Sequence, residues 1–138
     1  NSFFSNIGGD AVDVSGGSVS FSNLMISDVR DKAVSAGEGS SVDMSNIKIE
    51  NVGVGIASKD GSQVLVDDIT ISNSSLFDLM TYSKKKFFNK PSLSLTDKNQ
   101  NIYSAVRQNG SFLEINNKEV GESFVDVEKL YQTSVMSK

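Results

Sequence analysis

Three segments of the chain align without gaps: SVSFSNLMISDV (residues 18–29), SVDMSNIKIENV (41–52) and QVLVDDITISNS (63–74). The step between them is 23 and then 22 residues. Within each segment apolar and polar residues alternate, which is typical of strands with one buried face. Four apolar columns keep the step: Val19/Val42/Val64, Phe21/Met44/Val66, Leu24/Ile47/Ile69 and Ile26/Ile49/Ile71.

The repeat extends in both directions. Phe4 lies 22 residues before Ile26, and residues 110–117 resemble residues 61–68. Short apolar pairs predict a third strand in each row, and residues 93–95 add another row. The pairs that predict the third strand are Ala11-Val12, Ala33-Val34, Gly55-Ile56 and Ala105-Val106. One coil cannot bury its own inward side chains, but coils stacked about 4.8 Å apart can.

We therefore predict an all-β fold, a right-handed parallel β-helix (a solenoid) of about five coils with three strands each. The coils span residues 1–118. Two polar columns, Asn23/Asn46/Asp68 and Asp28/Asn51/Asn73, mark corners where a left-handed backbone or an asparagine ladder is expected. Glycines mark the corners at which each third strand returns to the first.

Two segments depart from the repeat. Residues 81–92 lengthen one row and are predicted to project as a basic loop. The tail, residues 119–138, has its apolar residues spaced as in a short helix with Asp126 as N-cap, and we expect it to cap the C-terminal end of the stack. Because the chain opens inside a patterned segment, we read it as a fragment whose first rung, Phe3 and Phe4, is uncovered. That rung is a candidate for end-to-end self-association or for stacking by other domains of a parent chain.

Composition excludes several classes of function. The chain has no Cys and no His, so it offers no disulfide, no Ser-His-Asp triad and no common zinc site, and we predict neither metal nor cofactor. A net charge of -4 argues against nucleic-acid binding. No apolar run reaches the roughly 20 residues of a membrane span.

The rows resemble the right-handed β-helix proteins of the pectate-lyase and polygalacturonase type. That resemblance implies clustered carboxylates with Lys or Arg if the chain is an enzyme. Asp67-Asp68 is the best carboxylate pair, and its corner position favours a structural role. A further set is expected to form a solvated charged face: Asp10, Asp13, Asp28, Asp31, Asp43, Arg30, Lys32 and Lys48.

The loop and tail are also similar to the β-helix tail domains found after spore-coat-kinase-like domains in large bacterial surface proteins. The residues that carry this likeness are Tyr82-x-Lys84-Lys85, Gly110-Ser111 and the stretch from Val125 to Tyr131. The resemblance implies a non-catalytic accessory domain and supplies no functional residues.

Two hypotheses follow. The first is a non-catalytic structural or binding module of a larger secreted or cell-surface bacterial protein that contacts polysaccharide. Its candidate ligand-binding residues are Tyr82, Lys84, Lys85, Lys86, Phe87 and Phe88, with no catalytic residue. The second is a fragment of a polysaccharide lyase, glycoside hydrolase or epimerase. An enzyme should gather three or more charged residues in an outward groove of one sheet, whereas a module should show scattered charge.

Overall fold

The computed structural model describes residues 1–136, which form a parallel β-solenoid of about five turns. Its strands are β1 (Ser2–Ile7), β2 (Val12–Ser15), β3 (Ser18–Gly37), β4 (Ser41–Lys59), β5 (Gln63–Tyr82), β6 (Ser92–Thr96), β7 (Ala105–Gln108), β8 (Phe112–Ile115), β9 (Lys118–Glu119) and β10 (Glu122–Ser123). One short helix, α1 (Val127–Leu130), follows. The main strand order is β1-β3-β4-β5-β6-β8-β9, with β2 on β3 and β7 between β5 and β10. All described pairs are parallel except β8 with β9.

The long strands β3, β4 and β5 each bend at two corners and so contribute to three faces of the solenoid. We call these faces the first, second and third sheets. The first sheet contains residues 19–22, 42–45, 64–67, 93–96 and 112–115. The second contains residues 2–5, 24–27, 47–50 and 69–72. The third contains residues 12–15, 34–37, 56–59, 79–82 and 105–107.

The predicted register is confirmed in all four apolar columns. Val19 pairs with Val42 and Val42 with Val64, and the other three columns pair in the same way. Phe4 lies opposite Ile26, as the 22-residue step predicts. Most residues of these columns are buried in one core. The partly buried residues of the columns lie at the ends of the stack and pack against that core: Phe4, Val19, Phe21, Leu24 and Ile71.

The corners use the predicted polar columns. Asn23, Asn46 and Asp68 have φ of 58°, 53° and 61°, in the left-handed region that Asn and Asp tolerate. In the second column Nδ2 of Asn73 donates to Oδ1 of Asn51 at 2.6 Å, so an asparagine ladder links successive coils.

The row after β5 differs from the expected three strands. It has β6 in the first sheet and β7 in the third, while residues 97–104 form a turn instead of a second-sheet strand. The buried carboxylate of Asp97 accepts the backbone N–H groups of Asn99 and Asn101 and the hydroxyl of Tyr103. The sequence from Asp97 to Asn101 is entirely polar and has no alternation, so this side chain organises the turn in place of ladder bonds.

The tail lies in two places. Residues 118–123 pair with β8 and β7 along the last rung, and Val120 packs against the main core there. Residues 124–136 lie along the outside of the third sheet and not over the end of the stack, where we expected the tail, while residues 137 and 138 of the predicted cap lie outside the described residues. The apolar side chains of residues 124–136 form a second core with outward residues of that sheet, including Ala57 and Met80. The tail packs on the third sheet because the outward side chains of this sheet are apolar at the contact and would otherwise be exposed to solvent.

No helix among the described residues is long and apolar enough to cross a membrane.

Candidate functional site

The basic loop occupies residues 83–91, because β5 continues through Tyr82 and β6 begins at Ser92. Its base is fixed by Asp60, whose Oδ1 accepts the backbone N–H groups of Lys84 and Lys85, each at 2.7 Å. Nζ of Lys85 pairs with Glu38, and this raises the pKa of the lysine and lowers that of the glutamate. One of the positive charges of the loop, that of Lys85, is therefore already neutralised by Glu38 at a neighbouring corner.

The two phenylalanines of the loop behave differently. Phe88 packs at the corner of the stack beside Gly39 and Gly61. Phe87 is 83% exposed, with its ring centroid 4.7 Å from that of Phe88. Lys86 is also exposed, so Phe87 and Lys86 form the outer tip of the loop.

Tyr82 lies apart from the other predicted ligand-binding residues, because its side chain is fully buried. Its hydroxyl shares a 2.8 Å hydrogen bond with the hydroxyl of Tyr131 on the tail. Burial raises the pKa of Tyr82 well above its usual value. A ligand arriving from solvent therefore meets Tyr131, while Tyr82 holds Tyr131 in place from below.

A pocket of about 290 Å³ lies on the outside of the third sheet, beside the tail, and we call it the third-sheet pocket. Four cationic and three carboxylate side chains line it together with Tyr131, so its net charge is one positive. The charged residues are Asp10, Asp13, Arg30, Asp31, Lys32, Lys59 and Lys84. The structure thus gathers charge on one sheet, as we expected of an enzyme rather than of a module.

Lys32 is the centre of this group, and it is not part of a solvated face as the sequence suggested. It is 2% exposed, and its Nζ donates to Asp31 at 2.9 Å and to Asp10 at 3.5 Å. Burial works to lower the pKa of Lys32, but the hydrogen bond to Asp31 and nearby negative charge outweigh it, so the pKa is raised. Burial also raises the pKa of Asp31. The tail covers these residues, which explains why a charged run in the sequence became a buried ion-pair group.

Lys59 differs from Lys32 because no hydrogen bond or ion pair reaches its Nζ from residues 1–136. The side chain is partly buried and lies across the backbone of Gly37. Burial, and then the charge of Lys32, lower the pKa of Lys59 by more than the negative charges of Asp10, Asp13 and Asp60 raise it. Nearby, the fully buried hydroxyl of Ser35 likewise has no partner within the described chain. This part of the third sheet therefore carries unsatisfied donors.

Tyr131 forms one wall of the pocket. Nζ of Lys84 lies 4.3 Å from its ring centroid and Nζ of Lys32 lies 5.5 Å from it, both within cation–π range. Lys59 and Tyr131 were not among the site residues predicted from the sequence. Alternation after Ile56 places Lys59 on the outward side and could have indicated it. Nothing in the sequence shows that the tail carries Tyr131 back across the third sheet.

The outside of the first sheet carries a different surface, which we call the first-sheet face. Two outward columns, in register across four rows, surround a shallow depression of about 480 Å³. Leu65 is 57% exposed at its middle, and Asp43 and Asp67 are exposed beside it. The columns are Ser20/Asp43/Leu65/Ser94 and Ser22/Ser45/Asp67/Thr96.

Within residues 1–136 no group of three or more acidic side chains is arranged to hold a metal ion. Comparison with curated proteins and with solved structures gave no match. The family model described as "Right handed beta helix region" matches residues 1–128, nearly the whole chain. This match agrees with the parallel register and the stacked coils, and the chain therefore belongs to the right-handed β-helix family.

Proposed function

We propose that this β-helix is a non-catalytic binding module of a larger secreted or cell-surface protein, and that it binds a neutral polysaccharide on the first-sheet face. The observation that carries the proposal is the pair of outward columns, in which hydroxyl and carboxylate side chains surround the exposed Leu65. Equivalent positions recur every ~4.8 Å from coil to coil, so a linear polymer lying across the coils can meet outward side chains at a regular spacing.

The chemistry of this face favours a neutral sugar over an acidic one. Asp43 and Asp67 are acceptors that suit sugar hydroxyl groups, and they repel a polyanion. Leu65 offers an apolar platform for the C–H face of a sugar ring, with a gain of about 25 cal/mol per Å² of apolar area covered. The depression is shallow, which fits a polymer lying along the surface better than a small molecule.

Affinity electrophoresis in gels containing soluble neutral polysaccharides, with polygalacturonate as the acidic comparison, tests the proposal. We expect a neutral polymer to retard the domain, and Leu65→Ser or Asp67→Ala to weaken that retardation at least tenfold. The matched control is Thr70→Ala, an exposed residue of the second sheet, which should leave it unchanged. Retardation only by polygalacturonate, or no loss in the first-sheet variants, contradicts the proposal.

Two observations favour the catalytic alternative, a fragment of a polysaccharide lyase, hydrolase or epimerase: charged side chains gather in the third-sheet pocket, and two of them have pKa values shifted in opposite directions. Asp31 has a raised pKa and Lys59 a lowered one in the same pocket, and opposite shifts of this kind are typical of acid–base sites. Against it, the carboxylate of Asp31 is already bound to Lys32. We expect no turnover of pectin or alginate. Ultraviolet detection of unsaturated products, lost in Asp31→Asn and Lys59→Met, would establish the alternative.

A further inference from the structure

We propose that the third-sheet pocket binds a small polyhydroxylated monocarboxylate, a ligand of about the size of one sugar acid. This site lies on a different sheet from the first-sheet face, and the inference does not depend on the proposed function. It rests on the charge balance of the pocket, on its size and on the one amine that its surroundings leave unpaired.

The pocket has a net charge of one positive, and one of its amines makes no hydrogen bond to the described residues. Lys32 is bound by Asp31 and Asp10, and Lys84 lies over the ring of Tyr131. Lys59 alone among these three lysines has no partner for its Nζ in the part of the chain that the structure describes. A partly buried amine without a hydrogen-bond partner is destabilising, and a bound carboxylate would supply the missing hydrogen bonds.

The other lining groups limit the ligand to a single negative charge. Because four cationic and three carboxylate side chains line the pocket, one negative charge on a ligand is balanced, whereas the second charge of a dianion such as phosphate is not. The carboxylate oxygens of Asp10, Asp13 and Asp31, where Lys32 does not use them, can accept hydrogen bonds from ligand hydroxyl groups. Carboxylate at one end and hydroxyl groups elsewhere therefore match the pocket.

The volume of about 290 Å³ is just below the range of 300–1,000 Å³ typical of small-molecule sites, and it suits one ring rather than a polymer. Tyr131 closes one side, and the loop contributes Lys84. The tail thus builds the wall of the pocket when it docks on the third sheet.

Isothermal titration calorimetry with four probes tests the inference: methyl glucuronide, methyl glucoside, acetate and inorganic phosphate. The glucuronide carries both the carboxylate and the hydroxyl groups, while the glucoside and acetate each lack one of them. We expect the glucuronide to bind at least tenfold more tightly than each of the other probes. Equal or tighter binding of the glucoside, acetate or phosphate overturns the inference.

Variants locate the site. Lys59→Met keeps the length of the side chain, removes its charge and should weaken glucuronide binding at least tenfold. Lys48→Met, at an exposed lysine that pairs with Glu50 on the second sheet, is the matched control and should bind as the parent does. Leu65→Ser should also bind normally, which separates this site from the first-sheet face.

Thermal unfolding supplies a readout independent of the ligand. Because Lys59 is partly buried and unpaired, Lys59→Met should unfold at the same temperature as the parent or higher. Unchanged binding by Lys59→Met, or a lowered unfolding temperature, would show that this amine has a structural partner and no ligand.

Discussion

Ile49 lies at the centre of the core, and its replacement gives the most quantitative test of the stacked register. It is 0% exposed and lies between Ile26 and Ile71 in adjacent coils. Ile49→Ala removes three carbon atoms, worth about 2.4 kcal/mol at ~0.8 kcal/mol each. Fixed neighbours above and below prevent the gap from closing, so a cavity cost brings the expected loss of unfolding free energy to about 3–4 kcal/mol.

The neighbouring residue provides the control. Lys48 precedes Ile49 on the same strand, and its exposed side chain points outward. Lys48→Ala should change stability by no more than about 0.5 kcal/mol. For a domain of this size the Ile49→Ala loss corresponds to a fall of about 10 °C in Tm, measured by circular dichroism. Ile47→Asp, one further inward position along, should prevent folding because it buries an unpaired charge.

Equal effects at positions 48 and 49 would contradict the stacked register, because they would mean that the alternation does not separate core from solvent. A loss below about 1 kcal/mol for Ile49→Ala would refute the burial argument in the same way.

Three further predictions concern the turn, the first rung and the loop. Hydrogen bonds from Tyr103 and backbone amides outweigh the effect of burial and lower the pKa of Asp97. The carboxylate therefore stabilises the fold above pH ~3.9, and this stabilisation is lost as the pH falls through the lower folded-state pKa. In urea titrations Asp97→Asn should cost about 1–3 kcal/mol of unfolding free energy at pH 7 and less in acid, and a cost that persists in acid would contradict this. Phe3 is 61% exposed on an open parallel edge, so sedimentation should show end-to-end association that Phe3→Ser weakens. Phe4→Ser should also loosen the core, against which Phe4 packs. A strict monomer at high concentration would contradict this prediction. Serine at all three positions 84–86 should leave Tm within about 2 °C and abolish any retardation by an acidic polysaccharide, and unchanged retardation would remove the loop from consideration.

The columns of the fold were predictable from the sequence because stacking places like residues on like. A fixed step of 22 or 23 residues sets the register, so the spacing alone assigns Val42 its partners in the coils on either side. The corner residues were predictable for a similar reason, since a left-handed backbone selects Asn, Asp and Gly. The turn after Asp97 was not, because it depends on one side chain in a segment without periodicity.

Only part of the third-sheet pocket could be predicted from the sequence. Asp10, Asp31 and Lys32 were recognised as charged, but a charged run usually indicates a solvated surface. Their burial depends on the tail, which is about 100 residues away along the chain and docks by general apolar contact. Contacts of this kind leave no spacing signal, so the position of Tyr131 and the isolation of Lys59 are properties of the folded chain alone.

Backbone amide chemical-shift mapping can locate a bound polysaccharide on the first-sheet face residue by residue. The domain, labelled with ¹⁵N, would be titrated with oligosaccharides of the neutral polysaccharide that retards it most. We expect the shifts to be concentrated in residues 20–22, 43–45, 65–67 and 94–96, with residues 83–91 undisturbed. Shifts confined to the loop or to the third sheet, or no shift with any neutral oligosaccharide, would contradict the proposal.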